Sequence, residues 1–583
     1  CTLSVTENAL LVQSSGNDPY LSLRLPKAVE ESSFTLRFTM ASDSSGNGQV
    51  FWQEQGAGPF NADRSQFFDV AHDGQRHEYT IRFETESPLM AVRIDPARGP
   101  GTTKISDIRL VGKQDTVHFR LKLPPTNPVS RHEKSRQRPP NVIVVYTDDH
   151  GYADLSCQGV FRDVKTPHLD ALAKGGVRMT DGYCTAPQCV PSRGGLISGQ
   201  YQTKWGLESN PQFQDAAIMK RFAEIETIPE RLQRAGYVTG MAGKWHLGPS
   251  RADAIATHGF DKAFHKNSQR PGHWNMNLRG DDLEPQFQKG DGYHIDLISD
   301  FACAFIDRFH DKPFFFYLAC RAPHVPLDAP RTYLDRFPGK MPERRRQALA
   351  MLSAVDDGVG RIMTTLRRNQ IEEDTLIFVI GDNGAPLKIH KLDAPGGGPG
   401  WDGSLNDPMN GEKGMLTEGG IRVPFLVHWK GKIPGGQTYS HPVIALDVGA
   451  TACSLAGLPD DPVLDGVSLI PYLTGHKTGA PHDVLYWRWL GQSAIRKGKW
   501  KYLRSDHREY LFNMETDFEE TENLMADSPE IAASLLADLR AWAATQSPPG
   551  IWALKSNAMS KQADKYFDWY IDGLRDAAAT QQP

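Results

Sequence analysis

Cysteine is scarce in this chain, with seven residues in 583. That density rules out a disulfide scaffold, and the spacings match no structural zinc site. Long apolar runs are missing too. The longest, Pro313-Phe314-Phe315-Phe316-Tyr317-Leu318-Ala319-Cys320, falls far short of the ~18 residues that a membrane-spanning helix needs. There is no basic excess: 65 Lys and Arg against 70 Asp and Glu leave a net charge of −5, the wrong sign for neutralising nucleic-acid phosphates. Neither internal repeats nor low-complexity tracts break the chain. These absences argue against a transmembrane protein and a nucleic-acid scaffold. What remains, at 39% hydrophobic and 23% charged residues, is a globular chain long enough to bury a core without staples. The first residue is Cys1 rather than methionine, so the chain has been processed or trimmed. One expectation is a lipid-bearing Cys1 at the start of a mature bacterial lipoprotein; the other is an arbitrary cut.

Residues 1–113 read as all-β. Ser33-Phe34-Thr35-Leu36-Arg37-Phe38-Thr39-Met40 and Tyr79-Thr80-Ile81-Arg82-Phe83 alternate apolar and polar side chains. Ala91-Val92-Arg93-Ile94-Asp95 and Lys104-Ile105-Ser106-Asp107-Ile108-Arg109-Leu110 flank a Gly/Pro turn. Short period-2 runs with such punctuation suggest a β-sandwich, resembling accessory modules of carbohydrate-active enzymes, with a packing or sugar-binding role. Residues 114–140 read as a linker, because 131–138 carry four positive and one negative side chain and run into Pro139-Pro140.

From Asn141 the pattern changes to α/β. Val142-Ile143-Val144-Val145-Tyr146 and Thr375-Leu376-Ile377-Phe378-Val379-Ile380 are continuous apolar runs, as strands buried on both faces require. Thr166 followed by Pro167 and a Gly175-Gly176 stop predicts a helix capped by Thr166. The expected fold is a mostly parallel sheet flanked by helices over 141–445, followed by a smaller α+β subdomain with short antiparallel strands over 446–583.

Two polar clusters end two of the buried strands: Thr147-Asp148-Asp149-His150-Gly151 and Gly381-Asp382-Asn383-Gly384. Open α/β sheets bind ligands beyond the carboxyl ends of their strands. Asx-turns closing the strands would account for either cluster alone. Together they place three carboxylates and an amide near one point, where they repel unless a cation intervenes. An all-oxygen set suits a hard divalent ion, Ca²⁺ or Mg²⁺.

The segment Cys184-Thr185-Ala186-Pro187-Gln188-Cys189-Val190-Pro191-Ser192-Arg193-Gly194-Gly195-Leu196 contains Cys-x-Pro-Ser-Arg followed by x-x-Leu. This resembles the signature of formylglycine-dependent type I sulfatases, of the alkaline phosphatase superfamily. Further matches follow in the family's order: Gly243-Lys244-Trp245-His246, Ala322-Pro323-His324-Val325-Pro326, Asp382-Asn383-Gly384, and Lys413 ahead of Glu418-Gly419-Gly420-Ile421-Arg422-Val423-Pro424. Near the end, Tyr510-Leu511-Phe512-Asn513 and Glu522-Asn523-Leu524 resemble the family's small C-terminal subdomain. Gly381 departs from a frequent serine, at a position that precedes the ligands.

The resemblance implies an alkaline-phosphatase-like α/β fold and hydrolysis of an organic sulfate ester, expected to be that of a sulfated carbohydrate. It implies that Cys189 becomes formylglycine, through a formylglycine-generating enzyme, and serves as nucleophile and metal ligand. Asp148, Asp149, Asp382 and Asn383 would complete the shell of a Ca²⁺, with Mg²⁺ the other option. Arg193 and Lys244 would orient the aldehyde hydrate and His246 would take its remaining proton. His324 and Lys413 would hold the sulfate and assist the leaving oxygen. His273 and Trp274 are expected to line the substrate pocket, and loops 250–295 and 385–412 to set specificity. Periplasmic or extracellular residence follows from the same resemblance. The chemistry fits the residue types, since a sulfate monoanion needs cations around its oxygens as charge moves to the leaving group. The competing readings are a phosphonate or phosphate monoester hydrolase of the same superfamily, and a catalytically silent glycan-binding protein.

Overall fold

Alternation of side chains builds the N-terminal sheets. In the Ser33–Ser42 strand, Phe34, Leu36, Phe38 and Met40 all point inward and are almost wholly buried. They meet Ile81 and Phe83 of His77–Glu84, and Val50, Val92 and Ile94 of a second sheet, in one core. Each such burial contributes about 1.5–3 kcal/mol. In this computed structural model the described residues are 2–6, 9–14, 20–56, 60–113, 116–120, 138–210, 215–248, 255–265, 292–387, 403–505, 508–548 and 567–573. His273, Trp274, Cys1 and much of the 250–295 and 385–412 loops lie outside them.

The chain divides into two units, Cys1–Arg136 and Gln137–Pro583. In the first, one sheet runs in the order Thr2–Thr6, Ala9–Ser14, Gly101–Val111, Ser33–Ser42, His77–Glu84. The other runs Leu21–Val29, Leu89–Asp95, Gly48–Glu54, Ser65–Phe68. The stretch read as linker begins differently from that expectation. Val117–Arg120 pairs antiparallel with Gly101–Val111, because backbone ladder bonds extend the sheet where four residues carry too little pattern to announce a strand.

The second unit is built on an eight-stranded sheet, ordered Lys262–His265, Val238–Gly243, Phe314–Pro323, Asn141–Asp148, Thr375–Gly381, Phe425–His428, Val177–Met179, Gln437–Tyr439. Its first five strands run parallel and Phe425–His428 runs against them. The central strand is apolar on both faces for a visible reason. Val142, Val144 and Tyr146 enter one core with the Cys189–Ser198 and Ile228–Arg234 helices, while Ile143 and Val145 enter another with His294–Phe309 and Glu343–Arg368. A four-stranded antiparallel sheet, 484 to 513, closes the fold and packs Ile495, Tyr502 and Leu511 on the Pro529–Ala544 helix. Among the described residues no helix is long and apolar enough to cross a membrane.

One local expectation is corrected. The helix at Pro167–Gly175 forms with Thr166 before it, but the Thr166 side chain caps nothing. Its hydroxyl is engaged by Ser156 at 2.8 Å. The orphan N–H groups of His168 and Leu169 go to the Asp356 carboxylate, at 3.2 and 2.8 Å. A long-range partner thus does the work of a local cap. Asp356→Ala is expected to cost about 1–3 kcal/mol, read as a lower denaturation midpoint at unchanged slope.

Candidate active site

The site gathers at the carboxyl ends of the central strands. Asp148 closes the Asn141–Asp148 strand, and Asp382 and Asn383 follow Thr375–Gly381, its parallel neighbour. Asp149 turns into the left-handed region at φ 57°, which directs its side chain away from the strand line. Its N–H donates to Asp382 Oδ1 at 3.0 Å, which holds that unfavourable backbone in place.

Cys189 is the first residue of the ten-residue Cys189–Ser198 helix. The motif reads physically along that helix. Val190 N–H is held by the Asn210 side chain at 2.9 Å, and Pro191 in the first turn forfeits no helical bond. Ser192 Oγ meets Tyr146 OH at 2.8 Å. Arg193 reaches Asp382 Oδ2 at 2.7 Å and donates to Tyr317 OH at 3.1 Å. Gly195 lies so close to Thr185 that an added Cβ would fall 2.4 Å from its hydroxyl. Cys189 Sγ itself sits 3.3 Å from Asp148 Oδ1 and 3.3 Å from Lys413 Nζ.

Each carboxylate has a cation. Lys244 Nζ lies 2.6 Å from Asp148 Oδ2, and Lys413 Nζ lies 2.5 Å from Asp149 Oδ1. His324 Nε2 is 3.7 Å from Asp149 Oδ2, while its other nitrogen points at the Val325 carbonyl. Burial opposes charge on Asp148, yet Lys244, His324, Arg193 and Lys413 outweigh it and hold that carboxyl well below its ordinary range. Burial and the Asp148 charge raise Asp382 to about 7 and push the Cys189 thiol up to about 12. Burial, with Lys244 and Arg193 beside it, keeps His246 well below its usual value and therefore neutral.

Exposure gives the cluster a floor and a mouth. Asp148, Asp149, Cys189, Arg193, Asp382, Asn383 and Lys413 are buried, whereas Lys244, His246 and His324 keep partial access to solvent. The donor chemistry suits a hard cation. One atom each of Asp148, Asp149, Cys189 and His324 lie within 4.8 Å of one another. Asn383 donates its amide N–H to Asp149 at 2.7 Å, and its buried carbonyl oxygen meets no hydrogen-bond donor. An acceptor so placed among carboxylates is what a divalent ion satisfies.

Comparison with known proteins places the chain in a family. The family model described as Sulfatase matches residues 140–458, more than half the chain. The chain belongs to the sulfatase family. A second model, N-sulphoglucosamine sulphohydrolase C-terminal, matches 411–543. N-acetylgalactosamine-6-sulfatase of Canis lupus familiaris is 32% identical over 390 residues, covering 62% of this chain and 71% of the relative. The uncharacterized sulfatase YdeN of Escherichia coli (strain K12) is 30% identical over 447 residues, covering 66% and 76%. The crystal structure of Ps i-CgsB in complex with k-i-k-neocarrahexaose superposes with a TM-score of 0.61 at 28% identity, over 73% of this chain and 98% of that one. This sulfatase is a sulfuric ester hydrolase of the alkaline phosphatase superfamily.

Other residues of the site were not legible beforehand. Tyr317 steadies Arg193 from the middle of an apolar strand, and nothing marks it among its phenylalanine neighbours. The Glu-Gly-Gly-Ile-Arg motif proves to be a brace for the C-terminal sheet. Glu418 accepts from Tyr183 OH at 2.8 Å and from Lys501 at 2.8 Å, and Lys501 also meets Glu520 at 2.7 Å. Beyond both matched stretches, Tyr570 OH donates to Glu412 at 3.0 Å, and Asn410 donates to the Tyr570 carbonyl at 2.7 Å, bracing the loop that carries Lys413. His150 bridges Thr147 Oγ1 and the Asp154 carbonyl, and Cys184 donates to the Ala186 carbonyl; both are buried inside the fold.

Proposed function

We propose that this sulfatase removes sulfate from a sulfated carbohydrate, with Cys189 matured to formylglycine and one divalent cation, Ca²⁺ by preference, held by Asp148, Asp149, Asp382 and Asn383. The observation that carries the reading is the junction of Cys189 Sγ with Asp148 and Lys413, each at 3.3 Å, on a floor of carboxylates matched by fixed cations. The saccharide part draws support from the named substrate class of the canine relative and from the neocarrahexaose in the Ps i-CgsB complex.

The aldehyde hydrate supplies two hydroxyls, one to attack sulfur and one to expel sulfate afterwards, an exit that a thiol lacks. The cation, when bound, supplies positive charge that lowers the proton affinity of an oxygen nucleophile. The chain's own residues supply the rest. With all three carboxylates ionised, Arg193, Lys244 and Lys413 balance them, so a bound dication would give the site a net positive field for a sulfate monoanion. Lys413, held by Asp149, and Lys244, held by Asp148, are fixed in advance and need no reorganisation as charge develops. Arg193 is locked by Asp382 and Tyr317 and orients the group at position 189. His246 is kept neutral and can accept the proton released when sulfate departs. His324 gives one ring N–H to the Val325 carbonyl and holds its other nitrogen 3.7 Å from Asp149 Oδ2, at the solvent-accessible edge of the cluster, where it would assist the leaving oxygen.

A panel of position-defined sulfated mono- and oligosaccharides, run beside matched aryl sulfate and aryl phosphate, tests the reading. Turnover is expected on at least one sugar sulfate, and on aryl sulfate well above aryl phosphate, because a phosphoryl dianion asks for more positive charge. Turnover confined to phosphate or phosphonate esters would overturn it.

A further inference from the structure

We infer that the outward face of the N-terminal sheet formed by Leu21–Val29, Leu89–Asp95, Gly48–Glu54 and Ser65–Phe68 is a second binding site, for a sulfated saccharide chain. The ladder brings Phe67, Gln49 and Asp95 into one cross-strand row and Phe51 and Arg93 into the next. Val50, Ile94 and Phe68, at the alternate positions, face the core, so these rows face out. Among the described residues only five large hydrophobic side chains are exposed. Two of them converge here, Tyr20 at 52% and Phe67 at 53%. Single exposed rings are ordinary, but two on one polar face need a reason.

Arginines stand over these rings. The Arg93 guanidinium lies 4.2 Å from the Tyr20 ring centroid and 5.1 Å from that of Phe51. Its fork grips Asp95 at 2.7 and 2.6 Å, which fixes it without leaving excess charge. Arg98 lies 4.8 Å from the Phe67 centroid and bonds the neutral amide of Gln49 at 3.4 Å. Among the described residues it meets no carboxylate, so its charge is available. Between the two arginines lies a recess of about 310 Å³, floored by Gln49, Phe51 and Asp95. That volume lies at the small end of ligand sites and accommodates a sugar ring.

The donor set selects the ligand. Aromatic edges and faces pack on sugar C–H groups, an amide and a carboxylate accept hydroxyls, and a guanidinium takes a sulfate through two parallel N–H···O bonds. A neutral glycan would leave Arg98 without a partner. The choice of a sulfated chain rests on the carbohydrate reading of the catalytic site. Such a tether would raise the local concentration of a polymeric substrate without touching the chemistry.

The test uses the full-length Cys189→Ala protein, which cannot turn substrate over, in affinity gels cast with dextran sulfate, iota-carrageenan, unsulfated dextran or polyglutamate. Retardation by the sulfated polymers is expected, weakened about tenfold by Arg98→Ala or Phe67→Ala. Lys104→Ala, an exposed cation on the other sheet, should change nothing. Arg98→Lys keeps the charge but loses the fork and the stack, and should recover only part of the retention. The proposal is overturned if Arg98→Ala and Phe67→Ala migrate like their parent, if unsulfated dextran or polyglutamate retards the protein equally, or if phosphatidylglycerol vesicles bind through Arg98 and Phe67 where the sulfated polymers do not. Failure of the catalytic reading shows elsewhere, as absent turnover of every sulfated sugar by protein whose residue 189 has the mass of formylglycine, while the retention persists.

Discussion

Protein that retains a thiol at position 189, or carries Cys189→Ala, is expected to fold normally and to cleave aryl sulfate at least ~10⁴-fold more slowly. Two facts of the site make the thiol a poor substitute. Burial and the Asp148 carboxylate push it up to about 12, so it stays protonated at neutral pH. A sulfur nucleophile would moreover form a thiosulfate-type adduct with no second hydroxyl to expel the sulfate. Cys189 is fully buried in the folded chain, so conversion is expected to precede folding. Folded thiol protein mixed with a formylglycine-generating enzyme should therefore remain inactive, whereas refolding in its presence should restore turnover. Mass spectrometry of the peptide spanning residue 189 is the check. A fully active preparation whose peptide has the mass of unmodified cysteine would refute the mechanism.

Much of this was readable from the chain because the chemistry sits where local pattern is strongest. Val142-Ile143-Val144-Val145-Tyr146 could only be a strand covered on both faces, and the polar residues after it could only lie at a strand end. The same logic applies to Asp382 and Asn383. The Cys189 segment was legible through its resemblance to the sulfatase signature; the structure adds what Ser192 and Arg193 of the motif bond within one helix. What was not readable depends on partners distant in sequence. Asp356 caps a helix that starts 189 residues earlier, and a threonine in the right place concealed the need for it. Glu418, Lys501 and Glu520 form one buried charge network from three separated stretches; the motif marked Glu418, but nothing in their own windows marked Lys501 and Glu520 as its partners. Tyr570 reaches the Lys413 loop from the far C-terminal stretch, where no motif marks it. His273 and Trp274 lie outside the described residues, so the expectation that they line the pocket stands as a proposal.

Replacing Asp149 with alanine is expected to abolish metal binding, lower turnover about 10³-fold, and destabilise the fold by about 3–5 kcal/mol. The stability loss follows from what the carboxylate holds. Asp149 Oδ1 receives Lys413 at 2.5 Å and the Asn383 amide at 2.7 Å, and both Asp149 and Lys413 are buried. Without it Lys413 becomes a buried cation lacking its nearest anion, although the site also loses a backbone conformation that alanine adopts less readily than aspartate. Lys413→Met in the Asp149→Ala background should recover part of the stability and none of the turnover, which separates the electrostatic loss from the catalytic one. Metal analysis of the parent completes the test. Once position 189 is an aldehyde hydrate, the proposed set of Asp148, Asp149, Asp382 and Asn383 offers only oxygen, which favours Ca²⁺ over Zn²⁺. Chelation should then lower the melting temperature together with activity, and added Ca²⁺ should restore both. Stoichiometric zinc in active protein, or full activity with no divalent ion, would mean that these carboxylates serve only to hold Lys244, Lys413 and Arg193 in place.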